Sequence, residues 1–178
     1  MASLADRMVG AMKADTATFE EIERDPTALG QAVAVIVIAA IAALIGNIFR
    51  HGLGGGILGL LGTLIGYAVW TVLVVLIGTK LMPEPSTKAD FVEGFRVIGF
   101  AASPGVFNIL AIIPFLGPLI SFVIWLWMLV VMVIAVRSVL DYTSTGRAVV
   151  VCLIGFVAYL ILNFLILVPL LTVGAILG

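Results

Sequence analysis

Charge is scarce in this 178-residue chain: Asp, Glu, Lys and Arg together make up 11% of it, less than half of the ~25% usual in a soluble domain. Cysteine and histidine occur once each, as Cys152 and His51. A lone cysteine excludes an intrachain disulfide, and one Cys with one His, far apart in sequence, offers neither a His/Cys metal set nor a thiol with a base beside it. There is no Gly-x-Ser-x-Gly elbow, no His-Glu-x-x-His zinc motif and no pair of aspartates inside an apolar run. The chain is therefore expected to be no enzyme and to carry no cofactor. A net charge of −1 supplies no basic field, so nucleic acid is excluded as a partner.

What fills the chain instead is hydrocarbon. Hydrophobic residues make up 63% and the mean hydropathy is +1.31. A soluble chain of this length has too little interior to hide that much apolar surface, so the sequence predicts an integral membrane protein. Residues 1–27 hold Asp6, Asp15, Glu20, Glu21, Glu23 and Asp25 and lack the apolar core of a signal peptide, so the first apolar run is expected to be retained.

About 20 apolar residues cross the hydrocarbon layer as a helix. Five segments qualify: Ala28 to Phe49, Gly54 to Leu81, Phe91 or Phe95 to Ile113, Phe115 to Val136, and Ala148 to Leu171. Their runs are continuous rather than alternating, which excludes barrel strands. The fold class is thus an all-α membrane protein with five spans (28–178), preceded by an amphipathic segment (1–27). Asp25-Pro26 reads as an N-cap and first-turn proline for span one. Pro114 to Pro118 reads as a tight uncharged corner that makes spans three and four antiparallel neighbours. Eight of the nine Lys and Arg, and all ten acidic residues, fall on one side of such a bundle, with Arg50 alone on the other. Positive charge stays inside, so the expected topology is N-in and C-out.

The amphipathic segment places Leu4, Met8, Ala11 and Met12 on one helical face. Thr18 and Glu21 have capping-box spacing, with Phe19 and Ile22 on a packing face. One or two short helices at the membrane surface or against the bundle are expected, with Glu20, Glu21, Glu23 and Asp25 as an acidic docking patch. In span two, Gly52, Gly55, Gly56, Gly59, Gly62 and Gly66 form pairs at four-residue spacing, a helix-packing or oligomer face. In span three, Ser103-Pro104-Gly105 predicts a kink or break, with Asn108 one turn later able to satisfy a freed backbone group or to line a solute pathway. Asn47, Thr63, Tyr67, Asn108, Ser121, Tyr159 and Asn163 read as interhelical hydrogen-bonders, and Trp70, Trp125 and Trp127 as packing residues. Arg137 and Asp141 are spaced to pair on one helix face. Tyr142 to Arg147, opening span five, reads as a capped turn or a headgroup contact through Arg147. No ionisable residue lies mid-span, which disfavours a proton-coupled machine.

In order, Phe19 to Pro26, Phe95-Arg-Val-Ile-Gly-Phe-Ala-Ala-Ser-Pro-Gly105, Ile113 to Pro118, Trp125-x-Trp127 and Val136 to Ala148 resemble the bacterial branch of the Yip (Ypt-interacting protein) domain family, over roughly residues 19–173. The resemblance implies a five-helix membrane domain with a cytoplasmic N-terminus. Eukaryotic members bind prenylated small GTPases in vesicle traffic, often as homo- or hetero-oligomers. The chain is expected to be a short form without their long N-terminal region, and Glu20 to Pro26 matches their Asp-Leu-Tyr-Gly-Pro pattern only loosely. The functional expectation is an adaptor or organising protein of the bacterial inner membrane, contacting lipid and a protein partner or a second copy. The alternative is a small transporter or channel for a neutral or lipid-like solute through the kinked third helix.

Overall fold

The computed structural model describes residues 2–47 and 56–177, with side-chain surroundings for 2–47 and 60–166. Among the described residues the chain is all helix. Two short helices, α1 (Leu4–Met12) and α2 (Thr16–Arg24), precede the spans. Span one is α3 (Ala28–Gly46). Span two is α4 (Gly56–Leu76), continued by a π-helical turn at Ile77–Leu81. Span three is α5 (Phe91–Phe100) followed by a 3-10 helix (Ser103–Ile112). Span four is α6 (Gly117–Val139) and span five α7 (Thr145–Leu177). Five helices are long and apolar enough to cross a membrane, and the protein is an integral membrane protein. The end of span one expected at Phe49 and the start of span two expected at Gly54 lie outside the described residues.

The turns explain where the short helices stop. Ala14 (φ 54) and Asp141 (φ 50) both sit in the left-handed region just past a helix. In each case the next two backbone N–H groups bond back into the last turn: Ala14 to the Ala11 carbonyl and Asp15 to that of Gly10, Asp141 to Ser138 and Tyr142 to Arg137. This is the Schellman ending that satisfies orphan carbonyls. Phe115 (φ 65) makes the corner between spans three and four and is 99% exposed, so span four begins at Gly117, two residues later than expected.

Two caps differ from the sequence reading. The cap of α2 is Asp15, whose carboxylate accepts from the Ala17 and Thr18 N–H groups. Thr18 lies inside the helix and donates its hydroxyl to Asp15 at 2.6 Å, so the Thr18–Glu21 capping box is not formed. Span one is preceded by Thr27, which makes no side-chain cap. Asp25 instead accepts from the N–H and hydroxyl of Thr27, two residues on.

Span three is the centre of the bundle. Of its most apolar stretch 67% is buried, against 11% for span five. The break expected at Ser103-Pro104-Gly105 is present: α5 ends at Phe100 and the chain resumes as a 3-10 helix. Proline removes one donor of the ladder. The Ser103 hydroxyl donates to the Phe100 carbonyl at 2.6 Å and the Asn108 amide to the Gly105 carbonyl at 3.1 Å, filling the gap locally. A 3-10 helix rises about 2.0 Å per residue, so its ten residues cover about 20 Å, enough with α5 to span the hydrocarbon.

This narrow helix lies on the small-residue face of span one. A methyl group added at Gly99 would stand 2.9 Å from Cβ of Ala32, and one at Gly105 2.9 Å from Cβ of Ala39. One added at Gly46 would overlap the Asn108 carbonyl. Ala28, Ala32, Ala39 and Ala42 complete the seam, all buried. Apolar surface gives helices no reason to associate in lipid, so backbone approach of this kind supplies the packing energy.

Several polar residues of the spans bond within their own helix. Asn47 donates to Ala43, Asn163 to Tyr159 and Thr71 to Tyr67, each to a carbonyl one turn back. Such back-bonding is the cheapest satisfaction available inside hydrocarbon. Trp125 and Trp127 are 52% and 37% exposed and do not fill the interior. Trp127 stacks on Phe107 at 5.7 Å and donates its indole N–H to the Met12 carbonyl at 2.8 Å, which ties the end of α1 to span four.

The seam makes a paired prediction. Gly46→Ala is expected to destabilise by about 1–3 kcal/mol through overpacking against backbone. Gly30→Ala, where an added Cβ meets nothing within 4 Å, is expected to be neutral or to stabilise by up to ~1 kcal/mol through helix propensity. Thermal unfolding of the two variants in one detergent checks both signs.

Candidate functional site

The charged residues gather at the end of the bundle that carries α1, α2 and the loops after spans two and four. Arg7 of α1 is 1% exposed. Its Nε and Nη2 grip both oxygens of Glu21 at 3.0 and 2.6 Å, Nη2 also reaches Asp25, and Nη1 donates to the Gln31 amide oxygen at 2.8 Å. This bidentate clamp joins α1, α2 and span one, over a core into which Ala11, Phe19 and Ile22 are fully buried. Hydrogen bonds from Thr27, and then from Arg7, hold the Asp25 carboxyl down at about 2.

The acidic run read from the sequence is therefore divided. Glu21 and Asp25 turn inward to Arg7. Glu20 turns outward, pairs at 3.2 Å with the exposed Arg24 one turn on, and lines a polar pocket of about 280 Å³ with Thr16, Arg137, Ser138, Asp141 and Thr143. Glu23 lies half-buried nearby, and its backbone carbonyl accepts from the buried Arg96. Burial, and then the Asp141 and Glu93 carboxylates, push the Glu23 carboxyl up to about 7. Glu20, Glu23, Glu93 and Asp141 thus converge from α2, α5 and the turn after α6. The sequence reading missed Glu93, which also completes a capping box with Asp90 at the start of α5. The spacing of Asp90 and Glu93 ahead of an apolar run carried that signal.

Arg137 and Asp141 do not pair. The left-handed Asp141 ends the helix before the second residue can share a face with the first. Arg137 instead donates to the Tyr142 carbonyl at 3.1 Å and to the Thr145 hydroxyl at 3.1 Å, tying span four to the start of span five. The opening of span five does hold an anion, but the anion is internal. The Glu84 carboxylate, 8% exposed, accepts from the Thr143 N–H at 3.1 Å and from Arg147 at 2.8 Å, while Arg147 also lies 5.8 Å over the Tyr142 ring. Arg147, and then the Thr143 N–H, keep Glu84 below the usual carboxylate range. Glu84 stands between Pro83 and Pro85, and nothing in that sequence pattern names its partner.

The remaining candidate residues lie elsewhere. Ser103, Pro104 and Gly105 are buried against span one, and Asn108 beside them is partly exposed. Gly52 and Gly55 are outside the described residues, and Gly56 and Gly59 fall in α4 outside the described surroundings. A Cβ at Gly62 would meet nothing within 4 Å, and one at Gly66 only the Tyr159 hydroxyl, at 3.1 Å. Among the described residues no group of three His, Cys, Asp or Glu is placed to hold a metal.

A family model described as the Yip1 domain matches residues 9–174. No curated protein and no solved structure matches the chain.

Two carboxylates at this end have opposite pH signatures. Glu84 is depressed, so its contribution is present above the ordinary carboxylate value of about 4.3 and is lost as pH falls through its folded value. Glu84→Gln is expected to lower the melting temperature at pH 7, with the difference from the parent closing as pH falls below 4. Glu23 is raised, so its contribution is full below the ordinary value and is lost as pH rises to about 7. Glu23→Gln is expected to raise the melting temperature at pH 8 and to leave it unchanged near pH 4. Melting curves across that range read both signs.

Proposed function

Because the chain belongs to the Yip1 domain family, we propose that it is a non-enzymatic adaptor of the bacterial branch, seated in the inner membrane with its charged end in the cytoplasm. Residues 28–178 are the membrane scaffold, and residues 1–27 form part of the docking surface. The observation that carries this reading is the gathering of Glu20, Glu93 and Asp141 around the half-buried Glu23, whose carboxyl is pushed up to about 7 by burial first and by the neighbouring carboxylates second. Arg7, Arg137 and Arg147 are engaged in the clamps described above, and Arg24 pairs with Glu20, so the surface beside the Glu20–Asp141 pocket is of mixed charge with Glu23, Glu93 and Asp141 in excess. Such a patch suits a basic segment of a protein partner. A solute path through the third span has less behind it, since Ser103, Pro104 and Gly105 are packed against span one.

Capture from membranes in mild detergent tests the reading. A stoichiometric partner, or an oligomer of this chain, is expected at low salt and should dissociate as salt rises. A double charge reversal, Glu20→Lys with Asp141→Lys, should abolish it while the helical content stays intact. A clean monomer without partner under several solubilisation conditions would sink the proposal.

A further inference from the structure

Helices α1 and α2 stand against the side of the bundle, within the height of the spans. The Met12 carbonyl, at the end of α1, accepts from the Trp127 indole N–H at 2.8 Å, and Trp127 stacks on Phe107 of the 3-10 helix at 5.7 Å. Trp127 is about 18 Å of helix away from Val139, which closes span four at the charged end. α1 packs on the 3-10 half of span three, and α2 packs on span four. The Arg7 clamp and the buried Ala11, Phe19 and Ile22 fix the two helices there.

The outer surface of the spans records the same offset. On span four the exposed large apolar side chains end at Val130, about 14 Å short of Val139, and no side chain from Val131 to Val139 is exposed. On span five they begin at Val149, about 6 Å past Thr145. Only a short turn joins Val139 to Thr145, so those two ends lie near one level. The helix laid over the upper part of span four is α2, and the outer surface of the α1–α2 hairpin is polar. Lys13, Asp15, Thr16, Glu20 and Arg24 are exposed, and among the described residues Val9 is the one large apolar side chain exposed on either helix.

We propose that α1 and α2 hold phospholipid headgroups and water against the bundle at a depth that is hydrocarbon beside span five. The polar boundary of the bilayer then meets span four about 8 Å lower than span five. The depth identifies lipid as the occupant. Exposed Lys13, Asp15, Glu20 and Arg24 facing acyl chains would be costly, whereas a bilayer follows a short apolar face by thinning or tilt at modest cost. The charges identify zwitterionic headgroups. Asp6, Asp15 and Glu20 stand among Lys13 and Arg24, so both ends of such a headgroup find a partner, while a purely anionic lipid would meet three carboxylates. The proposal rests on where the hairpin sits and not on the docking reading.

The test uses the full chain with Cys152→Ala in phosphatidylcholine vesicles, without any partner protein. A bimane is attached through Lys13→Cys or Ala17→Cys on the hairpin, Leu126→Cys on span four, or Leu153→Cys on span five. All four native residues are exposed, and Leu153 lies about 12 Å in from Thr145. Quenching by lipid spin-labelled at the headgroup is compared with quenching by lipid spin-labelled at mid-chain. The headgroup label is expected to quench more strongly at the two hairpin sites, and the chain label at Leu126 and Leu153. Glu20→Leu with Arg24→Leu makes the outer face of α2 apolar and should reverse the order at Ala17 while helical circular dichroism is unchanged. Stronger chain quenching at the parent hairpin sites, or headgroup quenching at Leu153 equal to that at Ala17, would overturn the proposal. So would quenching by neither label, the sign of a hairpin covered by a second copy, or an order at Ala17 that the leucine pair does not move.

Discussion

The structure depends on how closely the backbones of spans one and three approach. Lipid tails solvate leucine as well as another leucine does, so helices in a bilayer gain little from apolar contact alone. What they gain comes from dispersion between closely fitted surfaces. Here the fit is made by Ala32 against Gly99, Ala39 against Gly105, and Gly46 against the Asn108 carbonyl. The proline break serves that fit. It turns the second half of span three into a 3-10 helix, which is slimmer than an α-helix and brings its axis nearer to span one. Ser103 and Asn108 close the hydrogen-bond gap from within, so the break makes no demand on a neighbouring helix. Spans two, four and five then gather around this pair with most of their surface left to lipid.

At the charged end the same economy works through ion pairs. Arg7 is almost wholly buried and would be strongly destabilising alone, so it is held by two carboxylates and an amide. A buried charge with its partners in place contributes little net stability, whereas removal of one partner is costly. The clamp therefore acts chiefly to fix where α1 and α2 sit. Glu84 does the same for the start of span five. With Arg7, Arg137 and Arg147 engaged in these clamps, Glu23, Glu93 and Asp141, together with the Glu20–Arg24 pair, define the character of the outer surface.

The spans were legible because twenty apolar residues in a row have few other solutions, and the break was legible because proline acts on its own backbone. What escaped were features set by a partner distant in sequence. Glu20, Glu21, Glu23 and Asp25 read as one acidic patch until Arg7, on a separate helix, takes two of them inward. Arg137 and Asp141 have helical spacing, but Asp141 ends the helix in the left-handed region and the pair never shares a face. Asn163 looked like a bridge between helices; inside hydrocarbon the carbonyl one turn back is always within reach, and no sequence pattern distinguishes that partner from a distant one. The match to the Yip1 domain restored the architecture over residues 9–174, but no family match assigns hydrogen-bond partners.

Glycine shows the limit of spacing most clearly. Pairs four residues apart in span two promise close helix contact, yet at Gly62 there is nothing for a side chain to touch. Close approaches occur at Gly46, Gly99 and Gly105, on spans one and three, where Ala28 and Ala32, Ala42 and Gly46, and Ala101 and Gly105 also stand four residues apart, and at Gly78, where span two meets Leu140. A missing side chain is permissive in both directions. Against the alanine face of span one it admits a backbone, and the result is a seam. Beside Trp70, Tyr67 and Tyr159 it leaves space that no described side chain fills, and the result is an open groove. What decides between them is the breadth of the residues opposite, and that is a property of the assembled bundle rather than of the glycine.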